Sequence, residues 1–203
     1  MNQKSAGEFS TWLDNMIAAM KGDADADVPC GDCTGCCTSS QFVHIEPDEA
    51  ATLAAIPKTL LFPAPGMPPG HQLMGYNDLG NCPMLIDNAC SIYSARPRTC
   101  RTYDCRIFPA AGLEIDAATK RAIAERVGQW EFEHGTERSV ERHAAVKRGA
   151  TFLAHRRKEL PAGSVPTNTT QLAGMAIALH ELFDHGTEPT VDSVAIEITR
   201  RRL

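Results

Sequence analysis

Eight cysteines, Cys30, Cys33, Cys36, Cys37, Cys82, Cys90, Cys100 and Cys105, fall within one stretch of a 203-residue chain, and none follows Cys105. The first four stand as C-x-x-C-x-x-C-C. A two-residue gap lets a tight turn aim two sulfurs at one metal ion, and the backbone N–H groups of that turn can bond to the same sulfurs. A dithiol redox enzyme needs only one reactive pair and would leave the other clustered thiols unexplained. Structural disulfides fit poorly: a bridge between Cys36 and Cys37 would be strained, because adjacent Cα atoms lie closer than a disulfide wants. Cysteines serving as small buried hydrophobes would be scattered, not confined to one segment. Metal ligation by thiolates takes most of the weight.

Zinc and iron–sulfur sites commonly take four thiolates each, so eight cysteines suggest two centres. Neighbouring side chains rarely converge on one ion without strain, so Cys36 and Cys37 are expected to serve different centres. His44 could replace one sulfur, although a solvated or hydrogen-bonded histidine is the simpler reading. Zinc is the default for a closed four-thiolate site. The run C-x-x-C-x-x-C with the distant Cys82-Pro83 also echoes the bacterial [4Fe–4S] pattern, but Cys82 lies too far along to match its spacing. Zinc is therefore preferred by a narrow margin over iron or an iron–sulfur cluster. Two such divalent sites would carry a net charge of about -4. Arg96, Arg98, Arg101 and Arg106, opposed locally only by Asp104, could offset it, with a solvated basic face as the plainer alternative for Arg98.

These residues resemble the CxxCxxCC cysteine-cluster family, the YkgJ-like zinc- or iron-chelating domain. The resemblance rests on Cys30 to Cys37, on Cys82-Pro83, on C-S-I-Y-S-A-R-P-R-T-C-R from Cys90 to Arg101, and on Tyr103-Asp104-Cys105. It covers roughly residues 28–110 and implies metal chelation by all eight cysteines, not a substrate. Flagellin lysine N-methylases are similar in this cluster, which makes a methyltransferase or an iron–sulfur redox protein the alternative. The chain is short for a methyltransferase and has no glycine-rich loop after a strand for S-adenosylmethionine.

Several elements must position the thiols. Phe9, Trp12, Leu13, Met16, Ile17 and Met20 recur at helical spacing and predict an amphipathic helix over 8–20. Phe42-Val43-His44-Ile45 reads as extended. Pro47 suits the first turn of a helix running to about Ile56. Five prolines between Pro57 and Gly70 predict an irregular connector. Met84-Leu85-Ile86 and Cys90-Ser91-Ile92-Tyr93 around Asp87-Asn88 predict a β-hairpin. Pro97 could open a short helix carrying both Cys100 and Cys105. Four helical patterns follow, near 116–133, 137–159, 168–184 and 190–201, with Trp130 to His134 closing the first. The expected fold is mainly α, with a small Cys-rich metal-nucleated core containing a β-hairpin, an irregular α+β arrangement. Its expected divisions are an N-terminal helix and linker over 1–29, a cysteine-cluster domain over 30–110, and a helical region over 111–203.

The formal charge of -5 argues against nucleic acid or an anionic membrane as partner. Arg200-Arg201-Arg202 closes a helix, where cations are favourable in any case. The N-terminus lacks a secretory pattern, and no apolar run approaches the roughly 18 residues a membrane span needs. A cytoplasmic, reducing setting is expected, where clustered cysteines mean metal or redox chemistry. His180 and His185 lie about 140° apart on a helix and cannot easily share an ion. No Ser–His–Asp or paired-carboxylate signature is present, and a non-enzymatic metalloprotein is the leading expectation.

Overall fold

The computed structural model describes residues 3–26, 28–118, 120–186 and 188–201. In chain order its elements are β1 (Lys4–Glu8), α1 (Phe9–Lys21), β2 (Val43–Ile45), α2 (Ala50–Ala55), β3 (Leu61–Pro63), β4 (Gln72–Met74), β5 (Leu85–Ile86), β6 (Ala89–Cys90), α3 (Arg98–Thr102), α4 (Ile107–Ala111), α5 (Arg121–Val127), β7 (Trp130–Glu133), α6 (Glu137–His155), α7 (Thr169–Leu179) and α8 (Val191–Arg201). They form two compact units. A helical unit takes the described residues of Met1–Lys21, Asp104–Ile115 and Val127–Leu203; a cysteine-rich unit takes those of Gly22–Tyr103 and Asp116–Arg126. The fold is mixed α+β and mainly helical, as the patterning implies.

In the helical unit, α1 buries Phe9, Trp12, Leu13 and Met16, the i, i+3, i+4, i+7 stripe of an amphipathic helix. Side-chain caps fix the starts of the longer helices. The Thr136 hydroxyl accepts the Ser139 N–H at α6, and the Asn168 side chain accepts the Thr170 and Gln171 N–H groups at α7. Gly149 on α6 lets the Phe183 ring approach: a Cβ there would lie 3.2 Å from it. The stretch 116–133 is not one helix. It holds α5 and then β7, which pairs in parallel with β1, itself absent from the sequence reading. Trp130 and Phe132 are buried while Glu131 and Glu133 are exposed. That period of two, with two aromatic residues, is a strand pattern that outweighed the helical one at this end.

In the cysteine-rich unit, β2, β4 and β3 form an antiparallel sheet in that order. The connector expected from Pro57 to Gly70 thus contains a 3-10 turn (Lys58–Leu60) and β3. Its Pro63 is tolerated because β3 is an edge strand. The β5–β6 hairpin is present, and Asp87 and Asn88 both take positive φ, 49° and 60°, the conformation of a tight two-residue turn. Helix α2 starts three residues beyond Pro47, because the Glu49 carboxylate accepts the Glu46 N–H and holds 46–49 as a turn. Pro97 does open α3, but the helix ends at Thr102 and carries Cys100 without Cys105. The unit's core is Val43, Ile45, Ile56, Met74 and Met84, with the Cys82 side chain packed on it. Among the described residues no helix is long and apolar enough to cross a membrane.

Candidate metal centre

Four separate pieces of chain supply sulfurs to the cysteine-rich unit: the 30–37 loop, Cys82, Cys90 at the end of β6, and Cys100 on α3. The Cys33 N–H bonds to the Cys30 carbonyl at 3.1 Å, closing the first C-x-x-C turn. The Cys82 N–H bonds to the Cys37 carbonyl at 2.6 Å, tying the loop to the hairpin. The Thr99 hydroxyl on α3 bonds to the His44 carbonyl at 2.7 Å and seats that helix beside β2.

The sulfurs lie close enough to act on one another. Burial, and then Cys82, Cys90, Cys33 and Cys30, push the Cys37 thiol up to about 11. Burial, then Cys37, Cys82 and Cys90, push the Cys100 thiol up as well, with Arg96 pulling the other way. The Cys100 residue as a whole keeps an exposed surface, while its thiol is the part that burial acts on. Burial also raises Cys82, with Cys90 adding to it, while hydrogen bonds from the Met84 and Leu85 backbone favour its thiolate. Cys37 thus feels Cys82, Cys90, Cys33 and Cys30, and Cys100 feels Cys37, Cys82 and Cys90.

The turn geometry matches the chemistry expected from the spacing. Gly35 directs its N–H at the Cys33 sulfur, 3.5 Å away, and the backbone at Met84 and Leu85 does the same for Cys82. Such N–H groups stabilise thiolates and orient them toward a cation. Among the described residues, no three His, Cys, Asp or Glu side chains stand in a ready coordination geometry. In chemical type the donors suit zinc or iron. They are soft sulfurs with N–H support, and the crowding that penalises several thiolates together is what a divalent cation offsets.

The remaining sequence candidates divide. Cys36 starts the 3-10 turn Cys36–Thr38 and is exposed, whereas Cys37 beside it is partly buried. Cys105 lies in the helical unit, buried, where the Trp130 indole N–H donates to its sulfur at 3.2 Å. His44 is hydrogen-bonded to His71, with ring nitrogens 2.9 Å apart and the rings stacked. Arg96 stands over the Tyr93 ring and favours the Cys100 thiolate. Arg98 binds Glu46 and Asp48, Arg101 pairs with Asp25, and Arg106 pairs with Asp104 in the helical unit. His180 is buried, bonded through Nδ1 to the Ile177 carbonyl, and Arg200 and Arg201 pair with Glu197.

Two supporting residues escaped the sequence reading, and both lie on α5. Arg126 reaches the Cys30 carbonyl at 3.1 Å and stands 3.7 Å from Asp32. The backbone of Ala122 lies so close to Gly35 that a Cβ there would sit 3.1 Å from the Ala122 oxygen. Neither has a local signal, since each meets the loop from far along the chain.

Residues 29–127 match the profile of the CxxCxxCC family, described as "Putative zinc- or iron-chelating domain". This stretch belongs to the CxxCxxCC family. The match runs beyond residue 110 and takes in α5, the helix that braces the cysteine loop. Zinc or iron binding is therefore the chemistry that both the CxxCxxCC assignment and the sulfur cluster support. No curated protein and no solved structure matches the chain significantly.

Proposed function

We propose that the cysteine-rich unit binds zinc through cysteine thiolates, as a non-redox metalloprotein of a reducing compartment. The observation that carries this reading is that the 30–37 loop, Cys82, Cys90 and Cys100 bring cysteines from four pieces of chain into one compact unit, with the Gly35 N–H on the Cys33 sulfur and the Cys82 N–H tied to the Cys37 carbonyl. Cys30, Cys33, Cys36, Cys37, Cys82, Cys90 and Cys100 would hold the metal, all of them in the cysteine-rich unit. Bound zinc would supply the positive charge that lets these sulfurs ionise together, and would link the loop, the hairpin and α3.

The proposal keeps two centres. Two four-coordinate ions need eight ligand positions, which seven thiolates fill if one sulfur bridges and six fill if two bridge. Zinc is preferred to iron because it imposes no geometry of its own on a thiolate set and because Cys82 stands outside the ferredoxin spacing. Metal analysis and an absorption spectrum on anaerobically purified protein test the reading. The expected result is a colourless protein with about two zinc ions per chain, whose cysteine-rich unit unfolds in a strong chelator. Iron and sulfide in equal amounts with a visible band would refute the choice of zinc. A metal-free protein whose circular dichroism and melting do not respond to zinc would refute metal binding itself.

A further inference from the structure

The helical unit carries a cleft of about 580 Å³, within the size range of small-molecule sites. It opens where α1, α7 and α8 end, at Lys21, Leu179 and Arg201. Ile17 and Met20 of α1 and Ala178 of α7 give it apolar lining. His180, the first residue of the 3-10 stretch after α7, gives it a directional polar group.

His180 is only 4% exposed, and its Nδ1 lies 2.8 Å from the Ile177 carbonyl. A carbonyl only accepts, so Nδ1 carries the proton. Burial, with Arg142 adding to it, holds the imidazole below its ordinary pKa, and the Ile177 bond opposes. The ring is therefore neutral near pH 7, and Nε2 is left as a lone-pair acceptor. Among the described residues that nitrogen has no hydrogen-bond partner. A buried acceptor without a donor costs free energy, which an incoming O–H would recover. The charges at the cleft are also unequal. Arg201 is held by Glu197, Glu181 and the Ala178 carbonyl, and Arg200 by Glu197. Lys21 lines the same cleft and has no ion pair among the described residues. Three cations against two carboxylates leave one positive charge over, that of Lys21.

We propose that this cleft binds a small hydroxycarboxylate with an apolar body. The hydroxyl donates to His180 Nε2, the carboxylate faces the Lys21 ammonium, and the apolar part lies on Ile17, Met20 and Ala178. Each group of the ligand answers one feature of the cleft: an acceptor without a donor, a cation without a counter-charge, and apolar surface open to solvent. Recognition of the hydroxyl comes from an enclosed group and carries the specificity. The contact with Lys21 is solvent-screened and adds less.

The test uses the full-length protein and three probes: phenyllactate, hydrocinnamate, which lacks the hydroxyl, and phenyllactamide, which lacks the charge. Calorimetry should rank phenyllactate first, by about fivefold over hydrocinnamate and about threefold over the amide. Backbone amide shifts on binding should centre on Lys21, Ala178 and Glu181. Lys21→Ala, at an exposed position, should abolish the preference for acid over amide and keep the preference for the hydroxyl. His180→Phe should abolish the preference for the hydroxyl. The probe series and the Lys21 variant decide the matter even where His180→Phe fails to fold. No heat and no shift with millimolar phenyllactate would overturn the proposal. So would equal affinity for the three probes, an unchanged acid preference in Lys21→Ala, or shifts centred elsewhere in the chain. None of these results bears on zinc binding, which rests on other residues.

Discussion

Asp104 lies next to Cys105 and is a buried carboxylate of the helical unit. Its carboxylate accepts the Trp12 indole N–H at 2.8 Å and the Arg106 backbone N–H at 2.8 Å, and Arg106 closes on it through Nε at 3.0 Å and Nη2 at 2.8 Å. Both side chains are enclosed, at 2% and 8% exposure, and Arg106 also donates to the Ala6 carbonyl on β1. The Asp104–Arg106 pair thus joins α1, β1 and the start of α4. Asp104→Ala removes the counter-charge of a buried guanidinium and an acceptor of the indole N–H. Breaking a buried pair from one side costs about 3–5 kcal/mol, mostly because the other charge stays enclosed. With a urea slope of about 2 kcal/mol per M, the midpoint of the transition that reports the helical unit should fall by about 2 M. Adding Arg106→Met removes the stranded charge and should recover about 1–2 kcal/mol. A loss under about 1 kcal/mol in the single variant, or no recovery in the double, would show that this pair does not carry the charge coupling argued for it.

Burial, and then Lys147, hold the His143 imidazole down to about 4 from 6.5, with the Pro109 carbonyl opposing. The unfolded chain therefore binds a proton that the folded one refuses. Stability should be full above pH 6.5 and fall by up to about 3 kcal/mol toward pH 4, a slope that urea titrations should find absent in His143→Phe. Gly35→Ala should loosen the cysteine loop, because the new Cβ meets the Ala122 carbonyl; reduced zinc retention against a competing chelator, at unchanged stability of the helical unit, is the expected result. Cys37→Ser should lower zinc content and destabilise the cysteine-rich unit, whereas His44→Ala, which removes a residue bonded to His71, should leave zinc content unchanged by elemental analysis.

What could be read in the sequence was what a short window of chain decides. The α1 stripe, the Asp87-Asn88 turn and the helix opened by Pro97 each depend on neighbours a few residues away, and each is present. Residues 130–133 show the opposite. Trp130 and Phe132 fit a helix end when joined to what precedes them, and become a strand only because β1 offers a partner far away in the chain. The brace on the cysteine loop was hidden for the same reason: Arg126 is an ordinary helical arginine until the fold places it on the Cys30 carbonyl.

Spacing along the chain does not fix which helix carries a residue. Cys100 and Cys105 are five residues apart and were expected on one helix opened by Pro97. Between them α3 ends at Thr102 with an extended Tyr103, and the chain passes from the cysteine-rich unit to the helical unit at Asp104. Cys105 then packs under Trp130, while Cys100 interacts with Cys37, Cys82 and Cys90. Cys36 and Cys37 show the reverse relation, adjacent in sequence yet differing in exposure. Ligand-type spacing therefore identifies the chemistry of a segment, because soft donors at such density serve little else. It does not sort the donors by role. That sorting depends on where each sulfur sits in the fold, and only the folded chain sets that.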